Sequence, residues 1–281
     1  MSPLRSRRPR RSPKFRVAVS SFRRTFILAD DDLACSEVRV AVVGDIHANF
    51  GALEAVLRDA TDVEDIWCLG DIVGYGPEPA ACLERVARQC SITLLGNHDA
   101  AVVGTLSLST FNGAAKEAAQ WTRGQLDQSA MLFLRSLAPV HHRRPVSLVH
   151  GSLRDPLWEY LLSDEAACAT FTRMPGHLCL VGHTHVPLWV EEDRSGVALS
   201  RAIENGVPRE LPARRIIVNP GSVGQPRDRD PRAAYGVLVL DGVRPVSFEH
   251  RRVPYDIGST QARMHAIGLP EELISRLSVG R

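Results

Sequence analysis

The sequence predicts an α/β fold whose strands end in polar loops, and three observations carry that prediction. First, five short apolar runs each stop at a side chain able to bind a metal. Val40–Val43 ends in Gly44-Asp45-Ile46-His47, Ile66–Leu69 in Gly70-Asp71 and Ile92–Leu95 in Gly96-Asn97; Val146–Val149 ends in His150 and Leu178–Val181 in Gly182-His183. Runs of this length bounded by glycine read as strands buried on both faces. Second, helical spacing follows the first two runs. Third, from Pro187 onward the chain reads as short strands. In open α/β sheets ligands bind at the carboxyl ends of the strands, where these polar groups fall.

Taken in order, residues 1–36 are rich in Arg, Ser and Pro and carry a net charge of +6. Arg16, Arg23 and Arg24 interrupt every apolar stretch there, which argues against a secretory signal; a disordered basic tail or a misplaced start is expected in preference to the transit peptide that the composition also resembles. A folded domain is expected over 37–281. After the first strand, Leu53, Val56 and Leu57 mark a helix over Phe50–Asp59. Pro77 and Pro79 open a second over Pro79–Arg88, with Cys82, Leu83 and Val86 facing inward. Residues 100–137 read as helix in pieces, broken at Gly104 and Gly113 and stopped by Pro139, with Trp121, Leu126 and Leu134 packing. Residues 153–176 read as a loose insertion that carries Trp158 and Tyr160. Strands are expected over Leu188–Glu191, Val197–Ala202, Arg215–Val218, Tyr235–Leu240 and Val246–Arg252, then one or two helices over Thr260–Leu277.

The residues after the basic tail sum to a charge of −4, so the body has no electrostatic footprint for nucleic acid. No apolar run reaches the roughly 20 residues of a membrane span. The six cysteines include no CxxC pair, and Cys68 and Cys179 sit inside apolar runs. Such usage fits a reducing, cytoplasmic setting better than a disulfide framework. The sequence sets no oligomeric state.

The polar groups at the strand ends are of a consistent kind. Gly96-Asn97-His98-Asp99 places three chelating or titratable side chains after one strand, and Gly182-His183-Thr184-His185 places two histidines after another. In an extended segment alternate side chains point opposite ways, so His183 and His185 can serve two different metals. Carboxylate, imidazole and amide oxygen together suit Mn²⁺, Fe or Zn²⁺ rather than a calcium cage or a thiolate zinc site.

In this order, Asp-x-His, Gly-Asp, Gly-Asn-His-Asp, a strand-end His-Gly and Gly-His-Thr-His resemble the calcineurin-like metallophosphoesterase superfamily over residues 38–225. The flanking GDIHANFGALEAVL, LGDIVGYGPEP and NPGSVGQPRD look most like its bacterial phosphodiesterase branch. The resemblance implies two packed mixed β-sheets flanked by helices. It implies two divalent transition metals, Mn²⁺ favoured: Asp45, His47 and His185 on one, Asn97, His150 and His183 on the other, Asp71 bridging. It also implies in-line attack on a small-molecule phosphoester by a metal-bridging hydroxide, His98 assisting the leaving group and Asp99 fixing the tautomer of His98.

Phosphodiesters are the expected substrates, because Gly74-Tyr75 stands where the superfamily's protein phosphatases carry an Asp-Arg pair that holds a monoester dianion. The alternatives are a phosphomonoesterase on the same site, a weakly catalytic binding or scaffolding protein, and a nuclease on the same fold, against which the acidic body argues. Asn219-Pro220-Gly221-Ser222 either shapes the loop bearing His183 and His185 or touches the site directly. Tyr75 either stacks on an aromatic leaving group or packs in the core, and Arg154, Arg227 and Arg229 are candidates to meet a phosphate.

Overall fold

A computed structural model describes residues 37–281; the expected basic tail over 1–36 lies outside the described residues. The amino-terminal half alternates strand and helix as its apolar runs dictate. β1 (Glu37–Val43), β2 (Asp65–Cys68) and β3 (Ile92–Thr93) are joined by α1 (Phe50–Asp59) and α2 (Pro79–Gln89). The Asn49 side chain caps α1 by accepting from the Ala52 amide at 3.2 Å, and Pro79 opens α2, where its missing N–H has no helical partner to lose.

The chain continues through α3 (Asn97–Val103), α4 (Gly113–Gln125), α5 (Gln128–Ser136), β4 (Val140–Arg143), β5 (Val146–Val149), α6 (Asp164–Arg173) and β6 (Leu178–Val181). The strands β7 (Leu188–Glu192), β8 (Ala198–Arg201), β9 (Arg209–Glu210), β10 (Ile216–Asn219), β11 (Ala233–Asp241) and β12 (Arg244–Val253) follow, then α7 (Ile257–Ala266) and α8 (Glu271–Ser275).

The strands form two six-stranded mixed sheets, ordered β3-β2-β1-β11-β12-β9 and β4-β5-β6-β10-β7-β8. Each holds three adjacent parallel strands, β3-β2-β1 and β5-β6-β10, flanked by antiparallel ones. The sheets pack face to face through Val40, Val42, Trp67 and Leu69 on one and Leu148, Leu180, Trp189 and Val218 on the other. The outer face of the first sheet is covered by α1, α2 and α5, and that of the second by α6. This is the expected α/β sandwich. It places the carboxyl ends of β1, β2, β5, β6 and β10 along one edge.

Three local expectations change. Gly104 ends α3 in the left-handed region (φ 83°), but Gly113 opens α4 rather than breaking it, because the Asn112 side chain caps that helix at the Ala115 amide (2.8 Å). The insertion over 153–176 contains α6, capped by Ser163. Its inner face is Ala166, Ala167, Thr170 and Phe171, too weak a hydrophobic contrast to read as periodic. The short edge strands β4 and β9 carry His, Arg and Glu, and they exist because neighbouring strands pair with them.

Candidate metal centre

The loops at the sheet edge are bonded to one another before any side chain is considered. Asp45 N, His47 N and Ala48 N donate to the carbonyls of Gly70, Asp71 and Ile72 at 2.9–3.0 Å, joining the loops after β1 and β2. Gly182 N donates to His150 O, and Val223 N and Gly224 N to Gly44 O and Asp45 O. Glycine is required at Gly224, where a Cβ would lie 1.8 Å from Ile46 O, and at Gly96, where it would lie 2.0 Å from Asp71 Oδ1. The backbone is strained where it serves the site. Asp45, His47, Asp71, His183 and His185 all have φ between 50° and 66°, a region that costs roughly 1–3 kcal/mol for a residue with a side chain.

That strain aims the side chains. The ligand atoms of Asp45, His47, Asp71 and His185 lie within 4.8 Å of one another, as do those of Asp71, His150 and His183; all are buried. Asp71 belongs to both groups, as a bridging residue must. Asn97 Oδ1 joins the second group, 3.1 Å from His150 Nε2. His183 and His185 do face different groups, but the extended geometry expected for them is wrong. Both residues are left-handed, and the loop between them turns rather than runs straight.

The donor chemistry fits a cation. His47 Nδ1 faces the Val73 carbonyl (3.2 Å) and His185 Nδ1 the Gln225 carbonyl (2.6 Å). A carbonyl only accepts, so each ring holds its proton on Nδ1 and presents Nε2 as a lone pair. Burial holds both imidazoles well below their usual pKa, so both rings are neutral. Yet the two Nε2 atoms are 3.0 Å apart, a repulsive contact that a cation between them would relieve. His150 Nδ1 likewise donates to Leu69 O (2.9 Å), which turns Nε2 toward Asp71 Oδ2 at 3.5 Å. Burial alone would lower the His150 pKa, but Asp71 and Asp45 raise it to about 9, so this point in the pocket favours positive charge. Asp71 Oδ2 is buried with no hydrogen-bond donor. Burial, with the neighbouring Asp71, pushes Asp45 up to about 7.

His98 sits beside this cluster. Its backbone amide donates to Asp71 Oδ1 (2.9 Å), and its ring packs against Tyr75, His47 and Phe111 at centroid distances of 4.3, 4.9 and 5.0 Å. Burial lowers its pKa to about 4, so the ring is neutral, and Nδ1 is buried without a partner. Asp99 does not fix that tautomer, contrary to expectation. Its Oδ1 accepts from the amides of Ile72 and Val73 and its Oδ2 from that of Gly96, all at 3.0–3.1 Å. Asp99 therefore caps α3 and ties the loop bearing Asp71; being in the first helical turn, it points away from its neighbour's ring.

Asn219 and Ser222 shape the loops. Asn219 Nδ2 donates to Gly182 O (2.7 Å) and Thr184 Oγ1 (3.0 Å), and Ser222 Oγ donates to Asp45 O (2.8 Å). Of the three arginines, Arg154 is engaged by Glu159 and Glu165, and Arg229 is exposed. Arg227 alone reaches the site: its guanidinium lies 5.9 Å from the Tyr75 ring centre and donates to Gln225 Oε1 (2.9 Å) and Tyr75 Oη (3.4 Å). Tyr160 stacks on His183 (4.2 Å, 7°), and Phe111 meets Trp158 edge-on at 5.0 Å. Phe111 was not anticipated, since nothing local in a polar stretch between two helices signals a site residue.

A two-sheet sandwich with a buried carboxylate–imidazole–amide cluster along one edge defines the metallophosphoesterase class of proteins. The chain belongs to the calcineurin-like phosphoesterase superfamily, whose domain model matches residues 38–242. It is 35% identical over 249 residues to an uncharacterized protein of Methanocaldococcus jannaschii, covering 86% of this chain and 98% of that one. The crystal structure of a metallophosphoesterase from Sphaerobacter thermophilus superposes with a TM-score of 0.79 at 45% identity, covering 88% of this chain and all of that one. A symmetrical bis(5′-nucleosyl)-tetraphosphatase of Glaesserella parasuis is 29% identical over 135 residues, 46% of this chain and 48% of its own length. Members of this superfamily are phosphoester hydrolases and typically bind divalent metals. Among the described residues no helix is long and apolar enough to cross a membrane.

Proposed function

We propose that this chain is a dinuclear metal-dependent phosphodiesterase acting on small-molecule phosphoesters. The observation that carries the reading is the convergence of two Nδ1-protonated imidazoles, His47 and His185, on one point with their Nε2 atoms 3.0 Å apart, beside Asp71 Oδ2, which accepts no hydrogen bond. Asp45, His47 and His185 would hold one ion, Asn97, His150 and His183 the other, and Asp71 both. Two divalent cations held there, Mn²⁺ or alternatively Fe or Zn²⁺, would supply an activated water and stabilise the charge that builds up in the displacement.

The chain's own residues do the rest. Val73, Gln225 and Leu69 carbonyls accept from Nδ1 of His47, His185 and His150, which turns each Nε2 toward the centre. The neutral ring of His98 offers one N–H to the leaving-group oxygen. Gly74 presses on that ring; a Cβ there would meet His98 Nδ1 at 2.7 Å. Diesters are favoured because Gly74-Tyr75 brings no guanidinium to the scissile group from the loop after β2. Arg227 is the observation on the side of the phosphomonoesterase alternative, but one terminal nitrogen is already bonded to Gln225 and Tyr75.

The test compares kcat/KM for bis-p-nitrophenyl phosphate and p-nitrophenyl phosphate with Mn²⁺, alongside elemental analysis. About two metal equivalents per chain and a diester preference are expected. A preference of about tenfold or more for the monoester, roughly 1.4 kcal/mol the other way, overturns the diester assignment. Full activity in metal-free protein overturns the metal centre.

A further inference from the structure

Beyond the matched domain, the carboxyl-terminal segment folds back on the candidate centre. Leu273, Ile274 and Leu277 pack with Tyr75, the residue whose ring touches His47 and His98. Arg229 N donates to Gly280 O at 2.8 Å, pinning the chain end to the loop that carries Arg227. Arg276 lies in the short 3₁₀ turn Arg276–Ser278 between these anchors.

Among the described residues Arg227 and Arg276 have no Asp or Glu side chain within ion-pair distance, although most arginines around them do. Arg227 Nε is buried with no acceptor, and so is Nε2 of the fully buried Gln225, whose Oε1 holds Arg227. Arg276 uses Nε on the Arg281 oxygen (2.5 Å), leaving its terminal nitrogens. The two guanidiniums feel one another: burial and then the positive charge of Arg227 depress the pKa of Arg276, with Tyr75, Glu272 and Tyr160 also in range. Two like charges beside two orphaned donors cost free energy that a bound anion returns.

We infer that Arg227, Arg276 and Gln225 form a second anion subsite beside the metal centre, which takes a terminal phosphate of the substrate other than the one hydrolysed. A phosphoryl group suits it, since three oxygens and a charge near −2 match the forked donors of two arginines. The inference rests on the phosphoesterase reading for where the scissile group sits, and names the substrate class as phosphoesters bearing a second phosphate.

Calorimetric titration of the Mn²⁺-loaded protein with thymidine 3′,5′-bisphosphate and with thymidine 5′-phosphate tests it without requiring turnover. The bisphosphate should bind about tenfold or more tightly than the monophosphate. Arg276→Gln should abolish most of that advantage while leaving monophosphate affinity and melting temperature near the wild-type values, and Arg276→Lys should keep part of it. An advantage absent from the wild type, or unchanged in Arg276→Gln, overturns the inference. Bis-p-nitrophenyl phosphate hydrolysis measured in parallel separates the two readings: its absence counts against the phosphodiesterase, whatever the bisphosphate does.

Discussion

The described residues bury carboxylates in two places and treat them in opposite ways. Glu191, on β7 and 7% exposed, accepts from Trp189 Nε1 (3.0 Å) and Arg209 Nη2 (3.1 Å), with Arg214 at 3.6 Å and Arg201 at 3.9 Å. Arg209 also covers the Trp189 ring at 4.4 Å. Every polar group there has a partner, and the backbone is regular strand. At the strand-end edge, Asp71 Oδ2 and His98 Nδ1 lack hydrogen-bond partners, imidazole nitrogens face each other, and five site residues sit at positive φ. A buried carboxylate by itself therefore says little about function; an unsatisfied, strained set of donors says a great deal.

The contrast makes mutations separable. Asp71→Asn removes the charge shared by both ligand groups, so metal content should fall at both positions and kcat/KM by at least ~10³, the upper scale for losing one preorganised electrostatic group. Retention of two full metal equivalents would show that Asp71 does not bridge. His98→Ala should leave metal content near normal and lower kcat by roughly 10²–10⁴. A parallel loss of metal would move His98 into the ligand set.

Glu191→Leu strikes the satisfied region. It leaves Trp189 Nε1 without its acceptor and three arginines without their carboxylate, but those arginines are 40–50% exposed and recover water. The expected loss is about 1–2 kcal/mol of unfolding free energy, with kcat per folded molecule unchanged. Chemical denaturation alongside active-site titration checks this; lost activity at full stability would blur the contrast.

The smallest effect is on pH. Hydrogen bonding to Arg251 holds the Asp62 pKa down to about 2 from an ordinary value of 3.8. A depressed carboxylate contributes stability that is complete above its unfolded pKa and disappears as pH falls from about 4 to about 2. Asp62 is 42% exposed, so the pair is worth no more than about 1 kcal/mol. Asp62→Asn should flatten the acid limb of stability over that window and leave the neutral plateau within the same margin. An unchanged acid limb would assign acid sensitivity elsewhere.

The limits of α1, the apolar runs of β1, β2, β5 and β6, and the metal-capable residues at their ends were legible because each is a local pattern: an apolar run, a glycine stop, a chelating side chain. Tertiary structure alone decided the rest. Asp99 looked like the partner of His98 because it is adjacent, but helix geometry turns neighbouring side chains about 100° apart and gives Asp99 to the backbone. The opposed aims of His183 and His185 follow from a left-handed turn that no propensity predicts. Which of the three candidate arginines reaches the site, Arg227, and the presence of Phe111 there follow only from distant segments packed beside Tyr75, and such long-range contacts leave no periodicity in the chain.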